Sequence, residues 1–133
     1  PAVHALNRRI AAITQTDVRC GEPLQVLRYH PGQQYRAHFD SEAGAENQRI
    51  LTVLVYLNDE YEGGETLFVH NGLRFKGRLG DAIAFRNALP DGRPDELSQH
   101  AGLPVTAGAK IIASRWIRQK FFLPQPPAPL LDV

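Results

Sequence analysis

Two side chains able to hold a metal stand two positions apart in Tyr35-Arg36-Ala37-His38-Phe39-Asp40-Ser41. Successive side chains on a strand alternate faces, so the His38 imidazole and the Asp40 carboxylate project to one side and Phe39 to the other. A further imidazole, His100 in Ser98-Gln99-His100-Ala101, is distant in sequence and must arrive on another strand that closes over the first. Two imidazoles and a carboxylate on one face of a metal leave the opposite positions open, which suits a non-heme Fe(II) oxygenase that must bind substrate and O2 together. An H-x-D triplet by itself also occurs in turns and surface strands, so its meaning depends on its company.

Lys110 is that company. It follows His100 by ten residues, with Gly102, Pro104 and Gly108 between them. This punctuation predicts strand, turn, strand, with a hairpin return that brings Lys110 back beside the metal. A lone lysine is ordinarily a solvated surface charge. Lys110, however, opens the apolar run Ile111-Ile112-Ala113-Ser114, and a cation entering a core needs an anionic partner. A bound carboxylate would serve.

The elements that must position these groups are mostly strands. Val3, Leu6, Ile10 and Ile13 are spaced for one amphipathic helix within residues 1–20 that packs on a sheet. Strands are predicted over 24–30, 35–40, 50–57, 66–69, 73–76, 82–86, 97–101 and 110–122. Turn signals at Asn58-Asp59, Gly63-Gly64, Asn71-Gly72, Leu79-Gly80 and Asp91-Gly92 separate them. Many short strands with regular turns predict a mainly β fold, a sandwich or jelly roll, over residues 22–123. The Pro-rich tail, residues 124–133, is expected to run as an extended arm, read as a terminus or linker rather than as a ligand for another module.

With 133 residues and 43% hydrophobic content, the chain supports one domain and a sizeable core. A net charge of +1, from 15 basic and 14 acidic residues, gives no electrostatic case for a nucleic acid or membrane-surface partner. The single Cys20 excludes an internal disulfide and points to a reducing, cytoplasmic setting. No signal peptide and no apolar stretch long enough to span a bilayer is present. Because the sequence starts at Pro1 and contains no Met, a preceding N-terminal segment is expected.

From Glu22 to Phe121 the chain resembles the catalytic domain of the prolyl 4-hydroxylase family of Fe(II)- and 2-oxoglutarate-dependent dioxygenases. The matching blocks are Leu24 to Tyr29, Pro31-Gly32-Gln33-Gln34-Tyr35 leading into His38-x-Asp40, and Arg49 to Asn58. They continue with Gly63-Gly64-Glu65-Thr66 before Phe68, Gly80-Asp81-Ala82 before Phe85, and His100-Ala101-Gly102-x-Pro104-Val105 with Gly108 and Lys110. Trp116-Ile117-Arg118 closes the set. The resemblance implies a double-stranded β-helix, that is, a jelly roll, in which His38, Asp40 and His100 bind Fe(II). It also implies that 2-oxoglutarate chelates the metal through its keto acid end while Lys110 takes the far carboxylate, with hydroxyl hydrogen bonds from Tyr29 and Thr52. O2 is the oxidant, ascorbate a further cofactor, and succinate and CO2 the co-products.

The expected substrate is a proline in a peptide or protein, contacted by Tyr35, Arg49 and Trp116. The hard chemistry belongs to metal and co-substrate, so no general base is required. Related halogenases replace the carboxylate by a small residue, so Asp40 favours hydroxylation. For Tyr29, Thr52 and Trp116, simple packing or β-propensity is the competing explanation. His4, His30 and His70 are expected at the surface, and Glu65 is assigned no catalytic role. Hydroxylation of a free amino acid or small molecule stays open. So do a cupin-like metal enzyme without 2-oxoglutarate and a non-catalytic jelly-roll binding module.

Overall fold

A computed structural model describes residues 1–122; the expected Pro-rich arm lies outside them. Helix α1 (Ala2–Thr14) is followed by a short 3-10 turn (Val18–Cys20) and ten strands. These are β1 (Gln25–Tyr29), β2 (Tyr35–His38), β3 (Arg49–Tyr56), β4 (Tyr61–Gly63), β5 (Thr66–Phe68), β6 (Leu73–Phe75), β7 (Ala82–Arg86), β8 (His100–Gly102), β9 (Val105–Gly108) and β10 (Lys110–Arg118). One antiparallel sheet has the order β1-β10-β3-β7 and the second β2-β8-β5-β6, while β4 and β9 form a two-stranded ribbon. This is the expected jelly-roll layout of two sheets with an N-terminal helix.

The long apolar strands β3 and β10 are the centre of the first sheet, paired with Ile112 opposite Tyr56, Ser114 opposite Leu54 and Trp116 opposite Thr52. Their alternation divides the core in two. Val53, Val55, Ala113 and Ile117 face outward, where Ile10 and Leu6 of α1 and buried Cys20 cover them. Leu54, Tyr56 and Ile112 face inward and meet Leu27, Tyr29, Phe75, Ile83 and Phe85. The inward register also carries Lys110, Ser114 and Trp116, so the strand that builds the core lines the pocket as well.

Four expectations need correction. The helix stops at Thr14 because Gln15 takes a left-handed conformation and its N–H returns to the helix carbonyls. Its apolar stripe docks only through its middle, since Val3 and Ile13 are exposed. Residues 96–98 form a 3-10 turn rather than strand, started by Asp95, whose side chain accepts from the Leu97 N–H. Finally, His100 and Lys110 are not joined by a hairpin. The chain leaves the second sheet at β8, pairs β9 with the unforeseen β4, and enters the first sheet at β10.

Ile10 is 4% exposed and Ile13 76%. Ile10→Ala should therefore lower unfolding stability by about 2–5 kcal/mol through transfer and cavity costs. Ile13→Ala should change it by less than about 0.5 kcal/mol. Denaturant midpoints at constant m check both.

Candidate metal centre and its pocket

Strand pairing brings the distant histidine to the H-x-D segment: β2 and β8 are antiparallel with His38 directly opposite His100. A register shift between Tyr35 and His38 bends β2, and Asp40 follows just beyond its end. Nε2 of His38 lies 3.1 Å from Asp40 Oδ1, and Nε2 of His100 lies 3.7 Å from the same oxygen. One ligand atom from each of the three residues falls within 4.8 Å of the others.

Both rings are oriented by the backbone. His38 Nδ1 is 2.7 Å from the Arg36 carbonyl and His100 Nδ1 is 2.7 Å from the Ser98 carbonyl. A carbonyl can only accept, so Nδ1–H donates in each ring, which turns Nε2 toward the metal position and frees its lone pair once that nitrogen gives up its proton. Phe85 packs edge-on against His100 at a centroid distance of 4.7 Å and fixes the ring's tilt.

The charges suit a cation. Burial favours the protonated form of Asp40, but hydrogen bonds from His38 and Thr52 and the field of His100 outweigh it, holding the carboxyl below its ordinary value. Burial lowers His100 below the usual imidazole range, with Asp40 offsetting only part. At His38 burial also acts downward, yet the hydrogen bonds to Asp40 and to the Arg36 carbonyl prevail and raise it. An ionised carboxylate between two imidazole nitrogens is the donor set that a divalent transition metal accepts.

Lys110 closes the other end of the same pocket, which Tyr29, Tyr35, His38, Asp40, His100 and Trp116 also line. It is 3% exposed, and its ammonium donates to the Gly64 carbonyl at 2.6 Å. Desolvation pulls it down to about 8, with Glu65 offsetting a little. Among the described residues it forms no ion pair, so a buried cation faces the pocket with a neutral carbonyl as its only hydrogen-bond partner. The Gly63-Gly64 turn acquires a reason here: Gly64 has a positive φ of 68°, and a Cβ on it would stand 3.1 Å from Lys110 Cδ.

The remaining expected site residues divide. Tyr29 faces the pocket with its ring 5.4 Å from Lys110 Nζ. Tyr35 is exposed at the rim and stacks on His38 at 3.9 Å. Trp116 lines the pocket, its buried Nε1–H without a partner among the described residues. Thr52, expected to reach a co-substrate, instead donates from Oγ1 to Asp40 Oδ2 at 2.7 Å, because its place on β3 sets it behind the carboxylate.

Arg49, expected to touch substrate, is held behind Trp116. Its guanidinium stacks 4.3 Å from the indole ring and pairs with Glu22 at 2.6 Å. His4, His30 and His70 are exposed, as expected. Asn87, which hydrogen-bonds Thr52, and Glu22 were missed. Asn87 follows the strand Ala82–Arg86 just before Ala88-Leu89-Pro90 and looks like a turn residue; only its burial marks it.

A jelly roll with two histidines and a carboxylate at the mouth of its inter-sheet pocket is the arrangement that a non-heme metal centre needs. Residues 24–118 match the model of the 2OG-Fe(II) oxygenase superfamily, and the chain belongs to that family. It is 38% identical to prolyl 4-hydroxylase 1 of Arabidopsis thaliana over 90% of this chain and 49% of that protein. It is 35% identical to the prolyl 4-hydroxylase alpha-1 subunit of Gallus gallus over 90% of this chain and 25% of that one. Among solved structures, the viral collagen prolyl hydroxylase of Paramecium bursaria Chlorella virus-1, in its 2OG complex, superposes with a TM-score of 0.77. That match has 34% identity and covers 87% of this chain and 72% of the other. The chain spans about half the length of the Arabidopsis relatives it matches.

A metal site of only three side chains leaves no redundancy. His38→Ala, Asp40→Ala and His100→Ala should each abolish stoichiometric Fe(II) uptake under anaerobic dialysis while leaving the far-ultraviolet circular dichroism unchanged. Full iron occupancy in His100→Ala would show the ligand set to be different.

Proposed function

We propose that this chain is the catalytic region of an Fe(II)- and 2-oxoglutarate-dependent dioxygenase that hydroxylates a proline in a peptide or protein. The observation that carries this reading is the buried, unpaired Lys110 in one pocket with His38, Asp40 and His100. A cupin-like metal enzyme without a dicarboxylic co-substrate has no use for that cation. His38, Asp40 and His100 would hold the iron. Together with 2-oxoglutarate and O2, the iron supplies an oxidant that places one oxygen atom in a C–H bond, the other leaving in succinate as CO2 is released.

What the chain's own residues do is position and exclude. Lys110 offers a charge-assisted hydrogen bond to the far carboxylate of 2-oxoglutarate, and Tyr29 packs beside that pair. The apolar walls from Leu27, Leu54 and Ile112 keep the dicarboxylate's methylene segment out of water. At the opposite end Tyr35 and Trp116 would flank an entering peptide. The rigid extended form of a proline-rich backbone loses little entropy when it lies across aromatic rings. The resemblance of the chain to prolyl 4-hydroxylases supports proline as the target.

A free lysine ammonium with a value of about 8 gives the co-substrate step a pH dependence. Only the protonated form attracts a carboxylate, so 2-oxoglutarate affinity should be full below about 8 and fall as pH rises above it. Lys110→Arg, charged at every working pH, should flatten the fall. Lys110→Ala should weaken 2-oxoglutarate binding by about 2–5 kcal/mol while iron uptake survives. Calorimetric titration of the metal-loaded protein across pH checks all three.

The substrate is tested by incubating the protein with proline-rich peptides, Fe(II), ascorbate and 2-oxoglutarate, and reading the products by mass spectrometry. One oxygen atom should be gained on proline, with equimolar succinate, and the gain should be lost in Tyr35→Ala at intact iron occupancy. Succinate release stimulated only by free amino acids or other small molecules would move the substrate to that class. No succinate from an iron-loaded protein would remove 2-oxoglutarate from the reaction.

A further inference from the structure

Thr52 on β3 and Asn87 just after β7 are both 0% exposed and form a chain that ends on Asp40. Asn87 Nδ2 lies 2.7 Å from Thr52 Oγ1, and Thr52 Oγ1 lies 2.7 Å from Asp40 Oδ2. The direction of donation is forced. An ionised carboxylate only accepts, so the single hydroxyl proton of Thr52 goes to Asp40 and the Thr52 oxygen must receive a proton from elsewhere. Asn87 supplies it, which fixes the amide with nitrogen toward Thr52 and leaves its Oδ1 buried with no partner among the described residues.

Leaving that oxygen unpaired costs stability, and an apolar pair of the same shape would avoid the cost. Both residues sit on backbone that is locked independently of any metal. Thr52 pairs with Phe85 across β3 and β7, the Asn87 N–H donates to the Ile50 carbonyl at 2.9 Å, and the Asp95 N–H donates to the Asn87 carbonyl at 3.0 Å. The other carboxylate oxygen, Oδ1, is the one turned to both histidines.

We propose that Asn87 and Thr52 are positioning residues that occupy Asp40 Oδ2, so that a metal on His38 and His100 receives this carboxylate through Oδ1 alone. The proposal rests on the metal reading above. Its consequence is coordination number: a carboxylate bound through both oxygens would take one of the open positions that co-substrate and O2 need, and the relay denies it that second contact. Thr52 then acts on the metal through Asp40 rather than on 2-oxoglutarate.

Co(II) added to the metal-free protein tests this, read by its visible absorption spectrum and by titration for its dissociation constant, with no turnover required. Thr52→Val keeps the shape and removes the donor. It should weaken Co(II) binding by about 10–100-fold, the usual effect of removing a group that orients a ligand, and alter the spectrum. Thr52→Ser, which keeps the hydroxyl, should restore both affinity and spectrum, and Asn87→Ala should shift both in the direction of Thr52→Val. Thr52→Ala carries the same test should Thr52→Val not fold. Wild-type Co(II) affinity and spectrum in the hydroxyl-free variants would overturn the relay, with or without weaker 2-oxoglutarate binding. A Thr52→Ser protein as impaired as Thr52→Val would reduce Thr52 to packing and overturn it too. Absence of Co(II) binding by the wild-type protein would instead overturn the metal reading on which the relay stands.

Discussion

The burial of one ammonium, that of Lys110, is the constraint around which the interior is arranged. A cation taken from water to a pocket floor loses hydration that one carbonyl does not return, and its depressed proton affinity records the deficit. The sheet cannot move it outward: Lys110 begins β10, paired with Tyr29 of β1, and its inward direction follows from the alternation that buries Ile112. The free protein therefore holds a deficit that a carboxylate ligand removes. Such a floor suits an anion, and the two imidazoles and the carboxylate at the mouth suit a divalent metal.

The mouth is built on the opposite principle, with both histidines and Asp40 held in place by hydrogen bonds. His38 and His100 each spend Nδ1 on a carbonyl two residues earlier, and Asp40 divides its oxygens between Thr52 and the histidines. The two histidines come from facing positions on β2 and β8, and Thr52 comes from the other sheet. The centre thus ties the two sheets together where they approach. Rigid strands set ligand geometry more narrowly than loops can.

How much of this was legible depended on whether a residue's role is local. His38 and Asp40 were readable because strand alternation alone puts them on one side. The inward placement of Lys110 was readable because it opens the apolar run Ile111-Ile112-Ala113. The jelly roll followed from short strands and turns. Thr52 and Arg49 were placed too close to ligands because hydroxyl and guanidinium partners are chosen by tertiary approach, Asp40 for one and Glu22 with Trp116 for the other. The strands β4 and β9 went unforeseen as a pair because Tyr61-Glu62-Gly63 and Val105 to Gly108 are too short to show a period, and the crossing they make looked like a hairpin. Asn87 carried no local signal at all.

The cluster of Arg49, Arg118, Glu22 and Glu42 shows why such second-tier residues matter more for position than for stability. Glu22 accepts from Arg49 at 2.6 Å and from Arg118 at 3.1 Å, and Arg118 reaches Glu42 at 2.6 Å. In largely buried ion pairs of this kind the desolvation of the charges offsets much of the attraction, so they are weak evidence for net stabilisation. Their geometry, however, joins three segments at the metal end. Arg49 presses its guanidinium on Trp116, Arg118 holds Glu42 in the loop that leaves Asp40, and buried Gln48 closes that loop by donating to the Glu42 carbonyl and accepting from its N–H. A free loop leading directly from Asp40 would otherwise let its carboxylate swing. Pinning it at Glu42 and Gln48 keeps the carboxylate in reach of Thr52, so the charged cluster and the buried hydrogen bonds both restrain Asp40, one through its backbone carbonyl and the other through Oδ2.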